Sequence, residues 1–288
     1  MKHLRKQIAG YLLTLILLMA GIVFPGSGEK VLASGGSMTV HFLDVGQGLS
    51  ILVQSEGQNL LYDGGPRSAS SYVVSYLQEQ NVSEIDYLIS SHYDEDHVSG
   101  LIGCLNAFQV DNVIGADYIH DSSLYGSFMD AVAAHGLEVQ HPAVGAEYTF
   151  GSGEFTILSP KEISKESNAN SVAIKLTNGE NSFVFTGDAD FNCEADMVNS
   201  GLDLSCDVLS VGHHGSATST SWDFLQAAVP EFCSDQLRRR KYVWSSACGY
   251  HGKNCQIWEF RYIALMNRGT IVASSDGSAI TWSADPLQ

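Results

Sequence analysis

Apolar residues along this chain fall into two rhythms. Short runs rich in Val, Ile, Leu and Phe, each closed by Gly, Asp or Asn, read as buried strands. MTVHFLDVGQG is a strand ending in a glycine turn, SILVQ and NLLYDGG form a hairpin around EGQN, and IDYLISS and DNVIGA are single strands. Glu138 to Leu158 is a series of short strands, SVAIKLTNGENSFVFTGD is a hairpin turning at NGEN, CDVLSVG is a strand, and TIVASSDGSAITW is a final hairpin. Between them stand stretches of helical spacing. SASSYVVSYLQEQ puts Val73, Val74 and Leu77 on one face, VSGLIGCLNAF is a short helix, SLYGSFMDAVAAHG ends at Gly136, and DADFNCEADMVNSG carries its own glycine stop. Strand and helix alternate without a linker, repeat or low-complexity tract. The pattern predicts one domain over residues 38–288, an α+β fold of two sheets with outer helices.

The first 33 residues do not fit that pattern. KHLRK is basic, Ala9 to Phe24 is almost wholly apolar, and PGSGEKVLASGG follows. This is the layout of a secretory signal, with Val31 and Ala33 as the small residues before a cut near Ser34. The alternative is an uncleaved leader whose residues 9–24 tether the chain to a membrane. Either way the expected location is secreted or extracytoplasmic.

Composition narrows the chemistry. With 288 residues and 44% hydrophobic content the chain can bury a large core. Its net charge of −17 leaves no electrostatic footprint for gripping a polyanion non-specifically, although metal ions could supply positive charge at a phosphoester site. Six cysteines, at 104, 193, 206, 233, 248 and 255, show neither a framework spacing nor a CxxC pair, so no pairing is assigned and a cysteine zinc site is not expected.

The polar clusters carry the chemistry. Asp63, the run SHYDEDHVSG with His92, Asp94, Asp96 and His97, Asp188, and the pair His213 and His214 each follow an apolar run. Each therefore stands at a strand end, where loops collect ligands. Carboxylates gathered there cost several kcal/mol each if buried unpaired, in order of magnitude, and the cluster holds no Lys or Arg. Imidazole mixed with carboxylate suits zinc, manganese or iron rather than calcium. Two divalent ions would use this many donors, and a strand-end aspartate such as Asp188 could bridge them. The plainer readings are a capping-box variant of Ser91 followed by Asp94, a solvated helix start at DEDH whose acids favour the helix dipole, a turn residue at Asp63, and a loop with two exposed histidines. Their recurrence at successive strand ends favours the metal reading.

HFLDVGQG, LYDGG, SHYDEDHVSG, FTGD and CDVLSVGHHGS occur in an order that resembles the metallo-β-lactamase superfamily, in particular the branch similar to the C-terminal domain of competence protein ComEC. The likeness runs from about His41 to Ser219. It implies a four-layer αββα sandwich of two mixed β-sheets with a two-metal hydrolytic site at one edge, usually zinc or manganese. Carried over by position, it makes His92 and Asp94 ligands of one ion and Asp96 and His97 ligands of the other, with Asp188 bridging and His213 completing the second. Asp94 stands where lactamases carry histidine, as in the ComEC-like branch. Asp63 would hold a ligand histidine by its ring N–H. Asp96, with Asp188 as alternative, would orient the attacking water, and His214 would support a ligand or face the substrate.

Two departures stand out. Leu49 in GQGLS occupies a position that is usually acidic in relatives. From 233 to 268 the chain reads with clustered Arg, Trp and Cys and lacks the family's strand ending in Gly-His-Pro-His. Synonymous codons for RRRKYVWSSA, read one nucleotide later, encode Gly-Glu-Gly-Asn-Met-Tyr-Gly-His-Pro-His, so a compensated pair of frameshifts over roughly Ser234 to Arg268 is one explanation and a divergent insertion the other. If the segment stands as written, Ser245 to Ala247 occupy the place of a histidine-bearing loop.

The expectation is an exported binuclear hydrolase of phosphoesters, with nucleic acid implied by the ComEC-like resemblance. A small or cell-wall phosphodiester such as a phosphocholine or teichoic-acid group is the alternative substrate, and a metal-binding domain with impaired turnover is the alternative class. No protein partner is expected.

Overall fold

The computed structural model describes residues 36–235, 261–264 and 269–284. The leader and most of the anomalous segment, including Ser245 to Ala247, lie outside the described residues. All described residues belong to one unit, Ser34–Gln288.

Every strand expected from the sequence forms. The first sheet uses β1 (Met38–Phe42), β2 (Ile51–Ser55), β3 (Gln58–Tyr62), β4 (Glu84–Ile89), β5 (Gln109–Ile114), β6 (Val139–Gln140), β14 (Ile271–Ser275) and β15 (Ile280–Trp282), in the order β15-β14-β1-β2-β3-β4-β5-β6. The second uses β7 (Glu147–Phe150), β8 (Gly153–Ile157), β9 (Ile174–Asn178), β10 (Asn181–Phe185), β11 (Val208–Ser210), β12 (Phe232–Asp235) and β13 (Arg261–Ala264), in the order β13-β12-β11-β10-β9-β8-β7. Both sheets are mixed: β1–β2–β3 and β8–β9–β10 pair antiparallel, whereas β3–β4–β5 and β10–β11–β12 pair parallel.

Alternation decides which face each side chain meets. Val40, Phe42, Ile51, Val53, Leu60 and Tyr62 point between the sheets, where they pack against Ile174, Leu176, Phe183 and Phe185. Leu52 and Leu61, one register away, point outward under α1 (Ser70–Glu79), α2 (Glu95–Ala107) and α3 (Ser123–Ala134). Ala173, Val184 and Leu209 do the same on the other sheet under α4 (Phe191–Val198) and α5 (Trp222–Ala228). Both faces of each sheet are thus apolar, which is why the strands read as continuous hydrophobic runs. The result is the expected αββα sandwich.

Two local outcomes differ from the reading of the sequence. The helix over VSGLIGCLNAF begins three residues earlier, at Glu95, because the acidic cluster supplies its first turn. Helix α5 follows the histidine pair, with the Ser221 hydroxyl accepting the Phe224 N–H; its seven residues are too few for a periodic signal. No helix among the described residues is long and apolar enough to cross a membrane.

Candidate metal centre

The loops after β3, β4, β10 and β11 meet at one end of the sandwich. Tyr62 ties the sheets there, donating its hydroxyl to the Val172 carbonyl across 2.7 Å, and the Val172 N–H returns a 2.8 Å bond to the Ser91 carbonyl.

Asp63, fully buried at φ 57°, turns back after β3. Its Oδ1 accepts the Ser91 N–H at 2.7 Å, and its Oδ2 accepts the Ser91 hydroxyl at 2.7 Å and lies 2.8 Å from His97 Nδ1. With Nδ1–H given to Asp63, His97 directs Nε2 into the site. The Ser91 hydroxyl also stands 3.0 Å from His92 Nδ1, so the Nε2 atoms of both rings face the same space.

Asp94 occupies the N-cap position of α2, yet its side chain accepts no bond from the helix N–H groups. Ser91, the cap of the capping-box reading, lies before that position and gives its hydroxyl to Asp63, so no such box forms. Oδ1 instead receives the Ser167 hydroxyl at 2.7 Å and lies 3.1 Å from His120 Nε2, while Oδ2 faces His92 Nε2 at 3.5 Å. Asp96, in the first turn of the same helix, meets His214 Nε2 at 3.3 Å. Asp188 lies between these groups. Its Oδ1 is 3.2 Å from His97 Nε2 and 3.6 Å from His214 Nε2, and its Oδ2 is 3.9 Å from His92 Nε2 and 3.6 Å from His213 Nε2.

Two sets of three donors result: His92, His97 and Asp188, and Asp96, His97 and His214. The expectation named His213 as ligand and His214 as support. The structure places His214 Nε2 inside the second set, 3.2 Å from His97 Nε2, and places His213 beside Asp188 Oδ2 with its Nδ1 3.0 Å from the Thr218 hydroxyl. The remaining sequence-derived residues, Asp63, Asp94 and Asp96, all converge on the same site.

The electrostatics follow from this crowding. His92, facing Asp94 Oδ2 at 3.5 Å, holds that carboxyl below the usual carboxylate range. Burial alone would push Asp96 and Asp188 up, but the histidines facing them reverse that: His214 lowers Asp96, and His97 lowers Asp188. Burial would depress His97, but Asp188 and Asp63 raise it well above the ordinary histidine range. No Lys or Arg among the described residues pairs with these carboxylates, so the positive charge held between Asp188 and Asp63 is that of the His97 ring.

A divalent ion would replace that proton. His92 Nε2, fully buried, has no hydrogen-bond partner among the described residues, and Asp188 Oδ1 lacks a well-aligned one despite its approach to His97. Ligand bonds of about 2.0–2.1 Å at a tetrahedral angle put neighbouring donors roughly 3.3 Å apart. The closest cross-site spacings of 3.2–3.6 Å match that, and the mixed imidazole and carboxylate set suits zinc or manganese.

Leu49 is accommodated without a rim carboxylate. Its side chain joins the core between the sheets, while its N–H reaches the Asp96 carbonyl at 3.2 Å and its carbonyl accepts Gly65 N–H at 2.8 Å. The positioning contacts here are made by backbone and do not depend on side-chain type. Ser167, His120 and Asn168 went unnoticed in the sequence, since they come from loops whose approach only the fold creates.

Comparison with known proteins gives the family and the fold. The metallo-beta-lactamase superfamily matches over residues 43–231. Recombination protein 2 of Haemophilus influenzae is 32% identical over 235 residues, covering 80% of this chain and 26% of that protein. Competence protein ComA of Neisseria gonorrhoeae is 33% identical over 222 residues, covering 75% of this chain and 29% of that protein. The chain thus spans less than a third of the length of these two relatives. Among solved structures, the metallo-beta-lactamase fold protein YhfI from Bacillus subtilis superposes with a TM-score of 0.54 at 15% identity, covering 83% of this chain and all of that one. With the match taking in every strand-end donor from Asp63 to His214, the chain belongs to the metallo-β-lactamase superfamily of metal-dependent hydrolases.

Proposed function

We propose that this chain is an exported binuclear phosphodiesterase acting on nucleic acid. The observation that carries the reading is the orphaned His92 Nε2, aimed at a space that Asp94, Asp188 and His97 also face. A buried imidazole nitrogen without a partner is costly unless a cation takes its lone pair.

When bound, two divalent ions would supply Lewis acidity and an acidified water. The side chains do the rest. Asp63 commits His97 to the tautomer that offers Nε2, and Ser167 with His120 commits Asp94 Oδ1 so that Oδ2 stays free. Asp188, with Oδ1 near His97 and His214 and Oδ2 near His92, would be able to serve both ions. His92 and Asp94 would serve one ion, Asp96, His97 and His214 the other. Asp96 would also orient the attacking water, and His213, beside Asn168 and Thr218, would face substrate.

The relatives' names, a recombination protein and a competence protein, support nucleic acid as the substrate class. A second reading, a small or wall-linked phosphodiester, is favoured by the net charge of −17, which repels a long polyanion.

Elemental analysis paired with hydrolysis of bis-p-nitrophenyl phosphate tests the proposal on the chain and on Asp96→Ala. About two ions per chain with Asp96-dependent turnover is the expected result. Ion without turnover would leave a metal-binding domain of impaired chemistry, and absence of ion would remove the centre. Competition by a single-stranded oligonucleotide against a phosphocholine diester then separates the two substrate readings.

A further inference from the structure

Glu194 is a buried acid that the site as described does not use. It lies on α4 with 1% of its surface exposed, and no Lys, Arg or His among the described residues pairs with it. Both its oxygens are nevertheless committed: Oε1 accepts the Thr220 N–H, and Oε2 accepts the Ser221 N–H at 2.7 Å. A carboxylate placed in the interior only to receive two peptide N–H groups fixes the backbone that offers them.

That backbone is the far end of the turn carrying His213 and His214. Thr220 reaches back through its hydroxyl, which accepts the Gly212 N–H at 3.2 Å. The turn needs such restraint. His213 and His214 both sit at φ 49°, in the left-handed region that residues with a Cβ avoid, and two consecutive cases persist only where surrounding bonds over-determine them. Three further bonds tie the turn to neighbouring chain: His213 N–H to the Gly187 carbonyl at 3.1 Å, Phe191 N–H to the Thr218 carbonyl at 3.1 Å, and the Ser219 hydroxyl to the Ala189 carbonyl at 2.7 Å. These three lead to the segment from Gly187 to α4, and Glu194, on that helix, supplies a carboxyl anchor with two acceptor oxygens.

We infer that Glu194 is a positioning residue that holds the Gly212–Ser221 turn so that His214 Nε2 stays in the donor set with Asp96 and His97. It acts through Thr220 and Ser221 and touches neither ion nor substrate. This rests on the metal-centre reading above, and the experiment separates the two.

Zinc is titrated calorimetrically into the metal-free full chain, Glu194→Ala, Glu194→Gln and His214→Ala, each first shown by circular dichroism to be folded. Histidine ring ¹⁵N signals of the same proteins are recorded without metal. Glu194→Ala is expected to weaken one of two zinc sites about 10-fold or more, as the loss of a supporting contact does. It should leave the other site unchanged, reproduce the single-site pattern of His214→Ala, and shift the His213 and His214 signals while those of His92 and His97 stay. Glu194→Gln, which keeps one carbonyl acceptor, should fall between. Two unaltered sites with unmoved ring signals would overturn the inference, and so would equal weakening of both sites, the mark of a general packing role. If the unaltered chain takes up no zinc, the metal-centre reading fails, while the ring signals still decide whether Glu194 holds the turn.

Discussion

Asp63, His92 and His97, at the end of the first sheet and the start of α2, have no exposed surface and are tied together by bonds of 2.7–3.0 Å through Asp63 and Ser91. His213 and His214, donated by the second sheet, are partly exposed, sit at φ 49°, and hang from α4 through peptide contacts. One half of the site is held by burial and side-chain bonds within a short stretch of chain; the other is a strained turn kept in place from behind. A hydrolase that must admit substrate and release product needs both kinds of support, and local opening belongs to the half with fewer buried contacts.

The first half can be broken hardest. A methyl group on Gly100 of α2 would overlap the Gly64 carbonyl oxygen, and the two segments are joined there by Gly64 N–H to the His97 carbonyl at 2.8 Å and Gly100 N–H to the Gly65 carbonyl at 3.1 Å. With backbone on both sides nothing can yield, so Gly100→Ala is expected to destabilise by about 3 kcal/mol or more, read by urea denaturation.

Acid then sets the halves against each other. His41, on β1 beneath α1, is pushed down to about 4 by burial between Thr39 and Tyr76. Its unfolded form takes a proton near 6.5 before the folded form does, so its contribution is complete above 6.5 and lost as pH falls toward 4. Glu194 is pushed up to about 7, chiefly by burial, against the opposing bonds from Ser221 and Thr220. Its folded form takes a proton before the unfolded form does at 4.5, so stability is complete below 4.5 and lost as pH rises toward 7. Each effect is about 3 kcal/mol over its window, with opposite sign. Global denaturation between pH 4.5 and 6.5 should therefore be nearly flat, while His41→Gln leaves a fall with rising pH and Glu194→Gln a rise. Parallel slopes in the two variants would refute the assignment.

The same contrast explains what could be read from the sequence. The sandwich was legible because covering both faces makes whole strands apolar, and an Asp or His ending such a strand is conspicuous. The cluster from His92 to His97 was legible because its donors lie within one strand end and one helix turn. Ser167, His120 and Asn168 were not, since their roles depend on loops brought together across both sheets. The placement of His213 and His214 was not legible either: successive left-handed residues reverse the direction in which neighbouring side chains point, and nothing in GHHGS states those angles.

A milder change sharpens the first half. Asp63→Asn keeps the size and the Ser91 contacts in part but offers His97 a less certain acceptor, so the ring loses its fixed tautomer. Zinc affinity should fall about 10- to 100-fold, or roughly 1.4–2.8 kcal/mol, with little change in far-ultraviolet circular dichroism.

The smallest effect is the cleanest comparison, because the two halves place the same residue type at the same helical position. Asp94 precedes α2 and Asp190 precedes α4, both in extended backbone. Asp190 Oδ1 accepts the N–H groups of Asn192 at 3.0 Å and Cys193 at 2.9 Å, whereas Asp94 accepts none from its helix and faces His92, His120 and Ser167 instead. Loss of a capping side chain is worth about 1 kcal/mol, so Asp190→Ala should speed amide exchange at Asn192 and Cys193 by roughly five-fold and leave zinc binding unchanged. Asp94→Ala should do the reverse, lowering zinc affinity while the first amides of α2 keep their rates. Faster exchange at Asp96 and His97 in Asp94→Ala would mean that Asp94 serves the helix after all, and the distinction between an aspartate that ends a helix and one that a helix end presents to a metal would be lost.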